Sequence, residues 1–156
     1  MPRVYTVEFE SDAATTGDDL FELDAAAEKP IEVIGMFLSQ STEVGDAAEE
    51  MIRYRIIRGH TTSGSGGASV TPRPVDSTDA AAGFVCEVGN TTVASAGTAV
   101  NLHSGNFNVR VGEQIWLPEG CGWCTSGTSL LVCRLVAAPA DSVSFTGTLY
   151  VREFSG

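Results

Sequence analysis

Apolar residues in this chain return at every second position, in short runs, and nowhere at every third or fourth position over the length of a long helix. The first run, "RVYTVEFE", sets Tyr5, Val7 and Phe9 on one side and Val4, Thr6, Glu8 and Glu10 on the other. A period of two belongs to a pleated strand with one face buried and one face wet. "MIRYRIIR" (Met51 to Arg58) repeats it, with Ile52, Tyr54 and Ile56 opposed to Arg53, Arg55 and Ile57. So does "VSFTGTLYVREF" (Val143 to Phe154), where Phe145, Gly147, Leu149 and Val151 alternate with Ser144, Thr146, Thr148 and Tyr150. "IEVIGMFLSQ" (Ile31 to Gln40) and "LLVCRLVA" (Leu130 to Ala137) are more continuously apolar, as buried strands are. Shorter extended pieces are expected at "DLFEL" (Asp19 to Leu23), "FVCEVG" (Phe84 to Gly89), "TAVNLH" (Thr98 to His103), "FNVRVG" (Phe107 to Gly112) and "EQIWLP" (Glu113 to Pro118). In "STEVGDAAEE", Asp46 and Glu49 stand at capping-box spacing, which predicts one helical turn there. The whole predicts an all-β chain, a β-sandwich or jelly roll of about eight strands. With 156 residues it is expected to form one domain over residues 1–156.

One segment breaks the rhythm. After "RIIR" comes "GHTTSGSGGASVTPRPVDSTDAAAGF", predicted as a long loop over residues 59–83, far above the usual ~4–6 residues of a connection. "GHTTSGS" has the G-x-x-x-x-G spacing of a phosphate-binding loop, but Ser65 stands where lysine should reach the phosphates. Glycines and Pro72 and Pro74 follow where a helix should begin, so no helix N-terminus is available for phosphate. The segment is therefore expected to be a flexible arm that orders against a neighbouring subunit and is dispensable for the fold.

The chain carries 20 acidic residues against 9 basic ones, and Lys29 is its one lysine. A net charge of −11 repels a phosphate backbone, so direct nucleic-acid binding is not expected. "MPRVYTVEFE" lacks the apolar stretch of a secretory signal, and no apolar run approaches a membrane span. A soluble protein made in a cytoplasm is expected, with no membrane partner.

Residues with catalytic potential are sparse. His60 and His103 stand in neither H-x-H nor H-E-x-x-H spacing, so no histidine-based metal site is expected. There is no G-x-S-x-G elbow. Cys121 and Cys124, in "GCGWC", form a C-x-x-C pair, while Cys86 and Cys133 sit in apolar runs. Free structural thiols, a disulfide and a zinc site all remain open for these four. A thiol oxidoreductase rests on Cys121 and Cys124 alone; the chain is otherwise expected not to be an enzyme and to need no cofactor. Trp116 and Trp123 flank the cysteine loop, placed to anchor it or to stack on a ligand.

"AAEEMIRYRIIRGHTTSGSGG", "TPRPVDSTDAAAGF", "NTTVASAGTAVNLHSGNFNVR" and "RLVAAPADSVSFTGTLYVRE" resemble small structural proteins encoded among the head genes of tailed bacteriophages, including capsid decoration (cement) proteins. The resemblance spans about Arg3 to Glu153; "GCGWC" is not part of it. It implies a β-sandwich or jelly-roll subunit on the virion's capsid surface, made in the bacterial host cytoplasm. Such a subunit clamps neighbouring capsomers, with the major capsid protein and its own copies, as a homotrimer, for partners. The residues expected at such interfaces are Arg53, Arg55, Arg58, His60, Trp116 and Trp123. The alternative is a carbohydrate- or receptor-binding module on a virion surface, with Trp116, Trp123 and Tyr54 for stacking.

Overall fold

A computed structural model describes residues 2–14, 16–41, 49–140 and 142–154. The helical turn expected around Asp46 lies outside the described residues. The strands are β1 (Arg3–Ala14), β2 (Asp19–Asp24), β3 (Ile31–Gln40), β4 (Met51–His60), β5 (Ala68–Val70), β6 (Arg73–Pro74), β7 (Val85–Asn90), β8 (Val100–Asn108), β9 (Glu113–Trp116), β10 (Trp123–Thr125), β11 (Leu130–Leu135) and β12 (Val143–Glu153). Among the described residues no helix is long and apolar enough to cross a membrane.

The strands form two antiparallel sheets packed face to face. Sheet A runs β3-β12-β1-β6, with β9 and β10 both paired to β3. Sheet B runs β5-β7-β2-β11-β4-β8. Beneath the twelve strands lies an eight-stranded jelly roll, β1-β12-β3-β9 against β2-β11-β4-β8. Both sheets draw alternately on the two halves of the chain. The other four strands are additions: β5, β6 and β7 between β4 and β8, and β10 between β9 and β11.

The alternation read from sequence is what closes the sandwich. Tyr5, Val7 and Phe9 of β1 meet Ile52, Tyr54 and Ile56 of β4 and Phe145, Leu149 and Val151 of β12 in one continuous core. The two strands expected at Thr98–His103 and Phe107–Gly112 differ: β8 runs straight through Ser104-Gly105-Asn106. Those residues resemble a turn, but the glycine serves a close approach. A Cβ on Gly105 would lie 2.4 Å from the Tyr54 hydroxyl oxygen, so the buried ring fits only over a bare backbone.

The arm expected over residues 59–83 is the largest departure. Gly59 and His60 complete β4, β5 joins sheet B beside β7, and β6 joins sheet A beside β1. Isolated bridges Thr62↔Ser95 and Ser65↔Thr92 tie the arm to the stretch that follows β7. The arm therefore crosses from one sheet to the other and seals that side of the sandwich. Where it passes, the Tyr5 hydroxyl donates to the Ala80 carbonyl at 3.0 Å and the Phe84 ring meets Tyr5 edge-on at 5.7 Å. Glycine and proline mark the absence of helix here; they do not mark the absence of order.

Two buried carboxylates on β2 hold this insertion down. Asp19 accepts from Arg134 Nε at 2.6 Å, from Arg134 Nη2 at 3.0 Å and from the Ala94 amide at 2.7 Å. Glu22 accepts from Ser63 Oγ at 2.5 Å, from the Gly64 amide at 2.9 Å and from Asn90 Nδ2 at 3.4 Å. Between them Ala94 covers Ile57, Leu130 and Val132, a small second core on the outer face of sheet B. A buried carboxylate is tolerated when its oxygens are satisfied: Asp19 by the Arg134 guanidinium and the Ala94 amide, Glu22 by neutral donors alone. Asp19→Ala strands the Arg134 guanidinium and the Ala94 amide. It is expected to cost ~3–5 kcal/mol in urea unfolding and to speed proteolysis within residues 91–98.

Candidate functional site

The six residues singled out from the sequence do not converge. Arg53 and Arg55 stand exposed on the outer face of sheet B, paired in register with Asn106 and Ser104 of β8. Among the described residues neither has a salt-bridge partner. Arg58 does not share their position. A register shift between Ile56 and Ile57 intervenes, and the Arg58 Nη1 donates to the Cys124 carbonyl at 3.2 Å, linking β4 to β10 of the other sheet. His60 is buried at the end of β4. Trp123 is also buried, its ring 5.4 Å from His103, so it anchors the cysteine loop and offers no stacking surface. Tyr54, a proposed stacking residue, is wholly buried as well.

Trp116 alone meets the expectation of an accessible aromatic, at 55% exposure. It does not act singly. On the outer face of sheet A its ring lies 4.9 Å from Tyr150 and 5.4 Å from Phe37, and Phe37 lies 5.9 Å from Tyr150. The register explains the cluster. Gly35 of β3 pairs with Trp116 on one side and Tyr150 on the other, and a Cβ there would lie 2.7 Å from the indole. A glycine at the centre of the row lets the indole lie flat across the sheet. Val111, 83% exposed, extends the apolar surface past Phe37 along a shallow groove that also includes Gln114. Thr6, opposite Tyr150, and Glu8, opposite Thr148, give the patch a polar border on β1. Phe37 was missed because its strand read as continuously apolar, and Tyr150 because it stood among the polar residues of an alternating strand; its signal is an aromatic on the wet side of the alternation.

The cysteines separate into two kinds. All four are free thiols: Cys86 and Cys133 buried, Cys121 and Cys124 exposed. Burial pushes the Cys86 and Cys133 thiols far up. Cys124 is also raised, by partial burial first and then by the Glu32 carboxylate, against which Arg58 acts only in part. That is the opposite of the lowered thiol a disulfide oxidoreductase needs. Among the described residues, no three His, Cys, Asp or Glu side chains are grouped to hold a metal ion.

The fold and this face define an all-β sandwich with jelly-roll wiring and one exposed aromatic patch. No protein-family model, curated protein or solved structure matches this chain. In the native protein a maleimide reagent is expected to modify Cys121 and Cys124 and to leave Cys86 and Cys133 untouched until denaturant is added. Mass spectrometry of the peptides checks this, and early labelling of Cys133 would show that the core opens readily.

Proposed function

We propose that this chain is a non-enzymatic virion structural subunit that docks on the outside of a phage capsid and cements neighbouring capsomers. The carrying observation is the Phe37–Trp116–Tyr150 cluster on the outer face of sheet A, together with Val111. An exposed indole resting on two half-buried aromatics, bordered by polar residues, has the composition of a binding hot spot. The rest of the molecule is strongly acidic, at −11 overall, which discourages non-specific contact and concentrates adhesion on this patch. Jelly rolls serve viral capsids and lectins alike, so the fold by itself does not choose between them. The resemblance to phage head proteins favours the capsid, and its major capsid protein is the partner proposed for this face.

Homotrimer formation belongs to the same proposal and is tested by light scattering of the purified subunit. The sealed insertion is part of the rigid body in this scheme, and capsid contact is assigned to the aromatic face. Trp116→Ala and Tyr150→Ala are each expected to weaken cosedimentation with subunit-free heads by roughly 30-fold, a hot-spot loss of about 2 kcal/mol. Arg53→Ser with Arg55→Ser, on the opposite sheet, is expected to leave binding unchanged. Wild-type binding by both aromatic variants, or absence of the chain from purified particles, would overturn the proposal.

A further inference from the structure

Away from the aromatic face, at the end of sheet B, Asp24, His60, Thr61, Ser63, Thr128 and Ser129 line a cavity of about 200 Å³. Leu130 forms part of its apolar wall. It pairs with Asp24 of β2 on one side and with His60 of β4 on the other, so the carboxylate and the imidazole project from one row of the sheet. The Ser63 end comes from the insertion and the Thr128 end from the turn before β11, which makes the cavity a product of the added segments and not of the bare jelly roll.

The protons around this cavity are largely committed. His60 Nδ1 lies 3.2 Å from the Ala96 carbonyl, which can only accept, so Nδ1 carries the hydrogen. In the neutral ring that leaves Nε2 as a lone-pair acceptor, and this nitrogen is buried with no partner among the described residues. His60 as a whole is 8% exposed. Ser63 Oγ donates to Glu22. Thr125 Oγ1 donates to the Ser129 carbonyl at 2.7 Å, so Ser129 Oγ, 2.9 Å away, donates to Thr125 Oγ1. Asp24 forms no hydrogen bond or ion pair with the described residues, and partial burial raises its carboxyl above the ordinary value. Of the residues that line this cavity, His60 and Asp24 therefore have acceptor atoms with no donor among the described residues. An orphaned buried acceptor is costly unless something arrives to satisfy it.

We propose that this cavity binds a small polyol, with Asp24 and the His60 Nε2 accepting from neighbouring hydroxyls of a single sugar residue. The volume falls below the ~300–1,000 Å³ of drug-sized sites, which restricts the occupant to one ring or less. No cation lines it, which disfavours phosphates and carboxylates. An ammonium group would satisfy the acceptors but not Thr61 and Thr128, whose hydroxyls still have protons to donate; a hydroxyl both donates and accepts. Leu130 supplies an apolar contact for the C–H edge of the ring. The site is independent of the capsid-docking proposal, and either can fail alone.

Saturation-transfer NMR on the full chain tests it, with glucose, galactose, mannose, rhamnose and N-acetylglucosamine, and glycerol as the minimal polyol. At least one sugar is expected to bind. Asp24→Ala, at an exposed position, is expected to weaken that sugar tenfold or more, the loss of one charge-assisted hydrogen bond. His60→Phe, checked for an unchanged fold by its thermal melt, is expected to abolish the signal by filling the cavity and removing the acceptor. Trp116→Ala is expected to leave it intact. No transfer to any sugar, binding lost with Trp116 and retained without Asp24, or occupation by zinc or methylammonium with no competition from sugars would each overturn the proposal.

Discussion

Asp19 and Glu22 fasten the long insertion to the body of the sandwich. They sit three residues apart on a strand whose neighbours are core, and both are buried. Each gathers donors from segments more than forty residues away, and so converts a glycine- and proline-rich excursion into a fixed wall. Without their pull, Ile57, Leu130 and Val132 would lie bare on the outer face of sheet B. The cavity at His60 exists because the wall stops short of the sheet's end there, and the aromatic face stays open because the insertion wraps the other sheet. The energetic logic is that of buried carboxylates whose oxygens are satisfied, by a guanidinium at Asp19 and by neutral donors at Glu22. Placing such groups costs desolvation, and the reward is specificity about which segment docks where.

The sandwich was legible because alternation is a direct image of burial. Tyr5, Val7 and Phe9 on one side of β1, or Phe145, Leu149 and Val151 on one side of β12, announce which face meets the core. Strand β3 was read to its end residues for the same reason. Strands β5, β6 and β10 were not legible, since two or three residues cannot display a period. Their order comes from partners distant in sequence, such as Ala68 with Val88 and Arg73 with Thr6. Nor does sequence separate a buried carboxylate from a wet one: in "DLFEL" strict alternation would put Asp19 and Glu22 on opposite faces, and nothing local shows that both are buried.

The candidate site was legible only in part. Trp116 and Trp123 look equivalent in the sequence, seven positions apart around one cysteine loop. Burial separates them, one onto a glycine-floored outer row and one under the edge of sheet A. Arg53 and Arg55 kept the face their alternation gave them, whereas the irregularity after Ile56 turned Arg58 toward the other sheet. No local pattern encodes that shift. His60 attracted notice as a rare residue, yet its meaning came from Ala96 and Leu130, which only the fold brings beside it.

The two sides of the sandwich are unlike in their capacity for further pairing. On the side that the insertion closes, the outermost strands are β5 and β6, three and two residues long. On the opposite side stand β8, nine residues long, and β9 with β10. Short margins are poor templates for an incoming strand, and of these outer strands only β8 is long, since β9 and β10 have four and three residues. Such a subunit is polarised: β8, at the edge of sheet B, is the one long margin among the described strands. Open-ended strand-by-strand growth needs a long margin at both ends of a sheet, and sheet B ends in the three-residue β5. Copies of such a subunit can thereby crowd against one another without threading into fibres.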